Sequence, residues 1–295
     1  PIGFVKTYCQ HIAAVLLVVE EKETEERLAS RMLDLFENRS VHPTAKQLHF
    51  DKRQTLHIEF ICHLLPLVDG WDNGIGIQVK VGTNSLYSIS NMKDFLHNLE
   101  RQEPFEYASE QYYAPEIYSF SKESDAVLQL LLKGQHEQSL QADTLLISAS
   151  DWDQLVPLLT EAPLVRFVHG ERKYSGVKFG RDLPLRFAFD ETKRTNYQLN
   201  VEGLDQIVVL KGYGYAFSQG ILYKLLPEEC IRLAELKEML DQSGKHELVI
   251  SEIQIDYFME KTIPGLMKLG YVHIAESISK RMGETPLRVK LFLDR

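Results

Sequence analysis

The sequence predicts an α+β fold of mostly antiparallel sheets with flanking helices, a long N-terminal helix and two lobes. Three observations carry this reading. Apolar residues recur at helical spacing between Thr7 and Phe36, strand-like runs begin at Leu48, and β-rich segments follow one another from 164 to 226. Mixed helices around mostly antiparallel strands make the class α+β.

The N-terminal helix rests on Ile12, Val15, Leu16, Val19, Leu28, Met32, Leu35 and Phe36, with EEKETEER as its solvated middle. Asn38, Ser40 and Pro43 end it. LHIEFICHLL, IGIQVKVG and LYSIS then read as an antiparallel meander. NMKDFLHNLERQ is a short helix capped by Asn91, and Lys122 to Lys133 is a second one ended by Gly134. TLLIS and the helix DWDQLVPLLTEA follow. LVRFVH, YSGVKF, PLRFAF, YQLNVEG, QIVVLKGYGYAFS and GILYKLL predict successive hairpins. PEECIRLAELKEML is a helix with proline at its start, HELVIS a strand, SEIQIDYFMEKTIPGLMKL a helix broken near Pro264, and LRVKLFLD a final strand. A lobe boundary is expected near Ala162–Pro163.

With 295 residues the chain buries a large core without disulfides. Its three cysteines, Cys9, Cys62 and Cys230, are odd in number and far apart, which points to a reducing, cytoplasmic setting. The longest apolar run, IAAVLLVV at 12–19, is too short to span a bilayer, so no membrane partner is expected. The net charge of −9 argues against a dedicated duplex-DNA-binding module, yet leaves room for a local basic strip. The chain opens on Pro1 rather than methionine, which reads as a fragment of a longer chain.

No complete catalytic signature is present. The pattern GxxxxGK[ST] is missing, as are GxSxG and HExxH. GIG at 74–76 and GYG at 212–214 lack a third glycine and read as turns or bulges. Asp151 and Asp153, at a helix start, read as capping rather than as an acid–base pair. Cys62 and His63 are adjacent on a strand and point to opposite faces, so they cannot share a metal easily, and Cys62 and Cys230 read as packing. Cys9 and His11 have metal-ligand spacing, but supply two of the four ligands that tetrahedral zinc takes: an incidental pair or half a site. One basic strip carries Arg166, Arg172, Lys173, Lys178, Arg181 and Arg186, with Tyr174 and Phe179 interleaved. It is either a nucleic-acid contact, cations on phosphates and aromatics on bases, or a solvated hairpin whose charges follow the pleat.

YCQHIAAVLLVVEE resembles the closing half of a SWIM zinc finger, CxC…CxH, whose last histidine opens a helix. RDLPLRFAF at 181–189, NVEGLDQIVVLKGYGYAFSQGILYKLLPEE at 200–229, HELVISEIQIDYFMEKTIPGL at 246–266 and PLRVKLFLDR at 286–295 resemble the bacterial SWI/SNF-type helicase-associated region. In that family this region lies between the finger and the ATPase motor. The resemblance implies residues 1–38 as the end of the finger plus the long helix, 39–162 as a first lobe and 163–295 as a second leading to an absent motor. It implies zinc in the parent protein, and ATP with magnesium only in the motor. The function implied is a non-catalytic accessory region that positions the finger, and DNA or protein partners, relative to the motor of the same chain. The alternative from a different class is a free-standing hydrolase with a cryptic Asp, Glu and His site. An enzyme requires convergent titratable residues in one cleft.

Overall fold

In the computed structural model of the chain, residues 52–67, 73–134, 141–192, 196–244 and 247–282 are described. All lie in the unit Thr44–Arg295. The expected N-terminal helix, Cys9, His11 and the strand LRVKLFLD lie outside the described residues.

Alternation builds the first sheet. After the short β1 (Gln54–Thr55), β2 (His57–Pro66) places Ile58, Phe60, Cys62 and Leu64 on one buried face. It pairs antiparallel with β3 (Asn73–Gly82) over their whole length, and β4 (Tyr87–Ser88) adds to β3. Gly74 and Gly76 lie inside β3 rather than in a turn or bulge. A Cβ on Gly74 would stand 2.7 Å from Leu67, and one on Gly76 2.6 Å from Thr144, so close approach explains them.

Helix α1 (Met92–Arg101) is capped by Asn91, whose side chain accepts from the N–H groups of Lys93 and Asp94. The hairpin β5 (Phe105–Ala108) and β6 (Gln111–Tyr113) follows, then β7 (Tyr118–Ser119), which pairs parallel with β1. Helix α2 (Lys122–Lys133) has the bounds its sequence predicts. Strand β8 (Leu145–Ile147) joins β3, and α3 (Ala149–Glu161) is capped by Ser148 with Asp151 in its first turn.

The chain then passes Ala162–Pro163 without leaving this sheet. Strand β9 (Val165–His169) pairs parallel with β2 and forms a hairpin with β10 (Arg172–Ser175), giving the order β10-β9-β2-β3-β4. The boundary expected there coincides with no break in the sheet or its core, because Val165 and Phe167 are buried with Phe60 and Cys62.

The second sheet is built on β11 (Arg186–Glu191) and β12 (Tyr197–Glu202), flanked by β17 (Tyr271–Ile274) on β11 and β16 (Glu247–Ile250) on β12, in the order β16-β12-β11-β17. Between them in the chain and its outer strands lies a third sheet, β13 (Ile207–Leu210), β14 (Tyr215–Ser218) and β15 (Ile221–Lys224). Val208, Leu210, Phe217 and Leu222 join the first core, whereas Ile207, Val209, Ala216 and Tyr223 join the second. Both faces are buried, which is why these strands read as continuous apolar runs. The GYG segment is a turn, with Gly214 at φ +70°. Its Tyr213 hydroxyl donates to the Ile147 carbonyl at 2.6 Å and so ties the third sheet to the first.

Helix α4 (Pro227–Ser243) and β16 (Glu247–Ile250) follow. From Glu252 to Leu269 the helical backbone is continuous and not broken at Pro264. Proline has no N–H to return to the preceding turn, and its ring collides with the carbonyl four residues back. The backbone widens instead into a π turn, Phe258–Thr262, before α5 (Ile263–Leu269), with the Ile263 N–H reaching the Phe258 carbonyl. Strand β17 (Tyr271–Ile274) pairs parallel with β11, and α6 (Glu276–Met282) ends the described chain. The sequence reading missed β17, a strand too short for the alternation of Val272 and Ile274 with Tyr271 and His273 to stand out.

Candidate functional site

The described residues hold no complete zinc site. Cys9 and His11 lie outside the described residues, and the other cysteines do not fit as their partners. Cys62 is fully buried in β2, where burial pushes its thiol pKa up, and Cys230 is buried on α4 with Sγ 3.8 and 3.7 Å from the carbonyls of Leu210 and Tyr215. Among the described residues no three His, Cys, Asp or Glu side chains form a group that could hold a metal ion.

The basic strip is dispersed over several surfaces. Arg172 and Lys173 are consecutive on β10, opposite His169 and Val168, so their side chains leave from opposite faces. Lys178 and Arg181 are exposed on the loop after it. Arg166 leaves the strip altogether: its Nη2 is 2.7 Å from Oε1 of Glu59, a carboxylate that is 6 % exposed. Arg186 belongs to the second sheet, its guanidinium 5.6 Å from the centre of the Tyr271 ring. Tyr174 is half-buried against Phe217, and a Cβ on Gly220 would strike its ring, so it anchors the hairpin. Phe179, 52 % exposed, is the aromatic that stands out beside Lys178. The remaining cations at the loop are Arg172, Lys173, Lys178 and Arg181. His169 sits in the same hairpin with its pKa lowered by burial, and by Arg172 and Lys237.

A polar network not foreseen from sequence lines the other face of the first sheet. His63 Nε2 and Gln78 Oε1 are 2.9 Å apart, and Gln78 Nε2 donates to Asp143 Oδ2 (3.0 Å) and Thr144 Oγ1 (2.9 Å). Gln78 presents its oxygen to the ring, so His63 is the donor and its Nε2 carries hydrogen. Burial lowers the His63 pKa, against the hydrogen bond to Gln78 and the charge of Asp143. The alternation that buries Cys62 also turns Glu59 and His63 to this side, which was the available signal. The side chains already satisfy one another, an arrangement that fixes register.

Asp151 stands in the first turn of α3 and does not itself cap it; its carboxylate accepts from the hydroxyl of the capping Ser148 at 2.7 Å. Asp153 does not cap. It accepts from Lys224 Nζ at 2.9 Å and the Tyr215 hydroxyl at 3.1 Å, linking α3 to the third sheet. The hydrogen bond from Lys224 holds the Asp153 pKa below the usual carboxylate range and raises that of Lys224 in turn.

Depressions open to solvent lie on the described surface. One, of about 410 Å³, is bordered by Thr55, His57, Thr83, Asn84, Ser121 and Ser124 over an apolar floor. Another, a trough of about 640 Å³, runs between α4 and the segment from the π turn through α5. Its ionisable residues are Arg232, Glu235, Lys261 and Lys268. No helix among the described residues is long and apolar enough to cross a membrane.

Gly203, inside the resembling stretches, and Gly180 and Gly270, just outside them, permit close packing. A Cβ on Gly180 would enter the Tyr223 ring, one on Gly203 would stand 2.2 Å from the Pro184 carbonyl oxygen, and one on Gly270 2.5 Å from that of Leu185. No curated protein and no solved structure matches the chain. A family model described as bacterial SNF2 helicase associated matches residues 143–295, just over half of the sequence. The match begins at the Asp143–Thr144 pair that closes the His63 network and takes in the second and third sheets, and on this extent the chain belongs to the bacterial SNF2 helicase-associated family.

Proposed function

We propose that this chain is a non-catalytic accessory region of a bacterial SNF2-family ATP-dependent DNA helicase or translocase. It positions a zinc finger, and DNA or protein partners, relative to the motor. The family match over 143–295 carries the proposal. The packing role of Gly203 supports it, since this residue of the resembling stretches serves shape rather than chemistry. Zinc belongs to the finger closed by Cys9 and His11, ATP and magnesium to the motor, and the setting is cytoplasmic. The DNA-facing element is the β10 hairpin with its following loop, where Arg172, Lys173, Lys178 and Arg181 are exposed and Phe179 projects.

The test combines the purified chain with the SNF2 motor of its own source and measures DNA-stimulated ATP hydrolysis. The chain alone is expected to hydrolyse no ATP above buffer, and to change the motor's rate when added. Hydrolysis by the chain alone, or a motor rate indifferent to it, overturns the proposal. Duplex binding, followed by fluorescence anisotropy, is expected to weaken with salt and with the double variant Arg172→Glu/Lys173→Glu. Unchanged binding in that variant removes the loop from consideration.

A further inference from the structure

Phe179 is held in solvent by its own backbone. Every other described phenylalanine is buried or half-buried, whereas Phe179 is 52 % exposed. Its segment lies along the side of β15 away from β14, with Phe179 in a parallel bridge to Leu222. The Leu222 N–H donates to the Lys178 carbonyl at 2.8 Å, and the Gly180 N–H donates to the Leu222 carbonyl at 2.9 Å. These two hydrogen bonds flank Phe179 and tie it to the sheet. Gly180 permits the close approach, because a Cβ there would stand 2.2 Å from the Tyr223 ring. A single exposed apolar side chain needs no explanation by itself. One on a pinned backbone, however, has already given up freedom that a contact would otherwise cost.

The cations around it are unclaimed. Lys178 precedes Phe179 and Arg181 follows it by two residues, both exposed. Arg172 shares a face of β10 with Tyr174, whose ring lies against Gly220 at the turn into β15. Among the described residues no carboxylate forms an ion pair with any of these three, whereas Glu59 claims Arg166 and Asp153 claims Lys224. The carboxylates of the same stretch, Glu171 and Asp182, are outnumbered by Arg172, Lys173, Lys178 and Arg181. The surroundings of the ring are therefore net cationic.

A pinned ring beside unclaimed cations suits a nucleotide whose base is free. In a paired duplex the bases already stack on one another, and a ring enters only by unstacking a step. An unpaired base offers its face without that cost, and its flanking phosphates meet the cations. An acidic peptide would satisfy the cations and leave the ring idle. We propose that residues 178–181 bind unpaired nucleotides of DNA, with Phe179 stacked on a base and Lys178, Arg181 and Arg172 on the neighbouring phosphates. This names the form of DNA that the accessory region takes, and it rests on the reading of this loop as the DNA-facing element.

The experiment uses the full chain and two fluorescein-labelled DNAs of about 30 base pairs, one fully paired and one with a gap of about five unpaired nucleotides. Anisotropy is expected to show the gapped DNA bound at least about fivefold more tightly than the paired one. Phe179→Ala should bring the two affinities together with the thermal midpoint retained. Phe179→Trp should keep the preference, and it keeps the test sound if the alanine variant misfolds. Equal affinity for the two DNAs, a preference that survives Phe179→Ala, or one that Phe179→Trp abolishes overturns the proposal, while duplex binding leaves the DNA-facing reading intact. So does competition by polyglutamate as effective as that by an unlabelled single strand, because the loop then reads charge alone. Binding of neither DNA overturns both readings.

Discussion

Arg166 and Glu59 face each other across the parallel pair β9 and β2, guanidinium to carboxylate at 2.7 Å, with Glu59 almost wholly buried and Arg166 about a third exposed. A buried carboxylate that loses its ion-pair partner keeps its desolvation cost without the compensating attraction. Arg166→Met is therefore expected to destabilise the protein by about 2 kcal/mol, below the range for fully buried pairs because the arginine is partly hydrated. Adding Glu59→Leu removes the stranded charge and should restore most of the loss. Urea midpoints of the single and double variants check this, and additive losses would show that the two residues are not coupled.

The Asp153–Lys224 pair has a shorter reach in energy despite similar geometry. Both side chains are more than half exposed, so water and salt screen the attraction. Lys224→Met is expected to cost less than about 1 kcal/mol, and the difference from wild type should shrink at high salt. A loss as large as that of Arg166→Met would mean that the link from α3 to β15 holds the third sheet in place by itself.

Much of this architecture was legible in the sequence, where a period or a cap carries the information. The residues from Leu56 to Leu64 alternate, so strand and buried face follow together; Asn91 and the bounds of α2 follow from cap chemistry and helical spacing. The pairing of β9 with β2 was not legible. Pro163 ends a helix, but nothing local says whether β9 returns to β2, which lies about a hundred residues earlier in the chain. Strand pairing at that separation is decided by the whole core. The site suffered likewise. A run of cations reads as one patch, yet the pleat divides Arg172 from Lys173, and Glu59, far away in sequence, claims Arg166.

Two histidines with lowered pKa values, the partly buried His63 and the exposed His169, make stability depend on pH near neutrality. The pKa values of His63 and His169 are both lowered, chiefly by burial. As pH falls through about 6.5 the unfolded chain takes up these protons first. Stability is then full above that pH and declines below it, until the folded-state values are passed. The urea midpoint is expected to drop between about pH 7.5 and pH 5.5, and His63→Gln/His169→Gln should flatten that slope. The depressed pKa of Asp153 acts in a separate window, beginning only near and below about pH 4. A slope unchanged in the double variant would assign the dependence to other groups.

Two glycine-to-alanine changes should move stability in opposite directions, although composition treats them alike. Gly203 has φ +87°, and its added Cβ would stand 2.2 Å from the Pro184 carbonyl oxygen, a backbone atom that cannot swing aside. The left-handed conformation alone costs a β-carbon about 1–2 kcal/mol, and the clash adds to it. Gly203→Ala should therefore lose about 3 kcal/mol or more, as the turn from β12 into β13 separates from Pro184. Gly265 has the opposite circumstances: a helical backbone, with open space where the methyl would go. There alanine restricts the unfolded chain and favours the helix, for a gain of about 0.4–1 kcal/mol. Thermal midpoints of the two variants decide the matter. If Gly265→Ala failed to stabilise, its glycine would be answering to strain within α5. If it stabilises, the chain forgoes stability at a position where no described residue demands glycine.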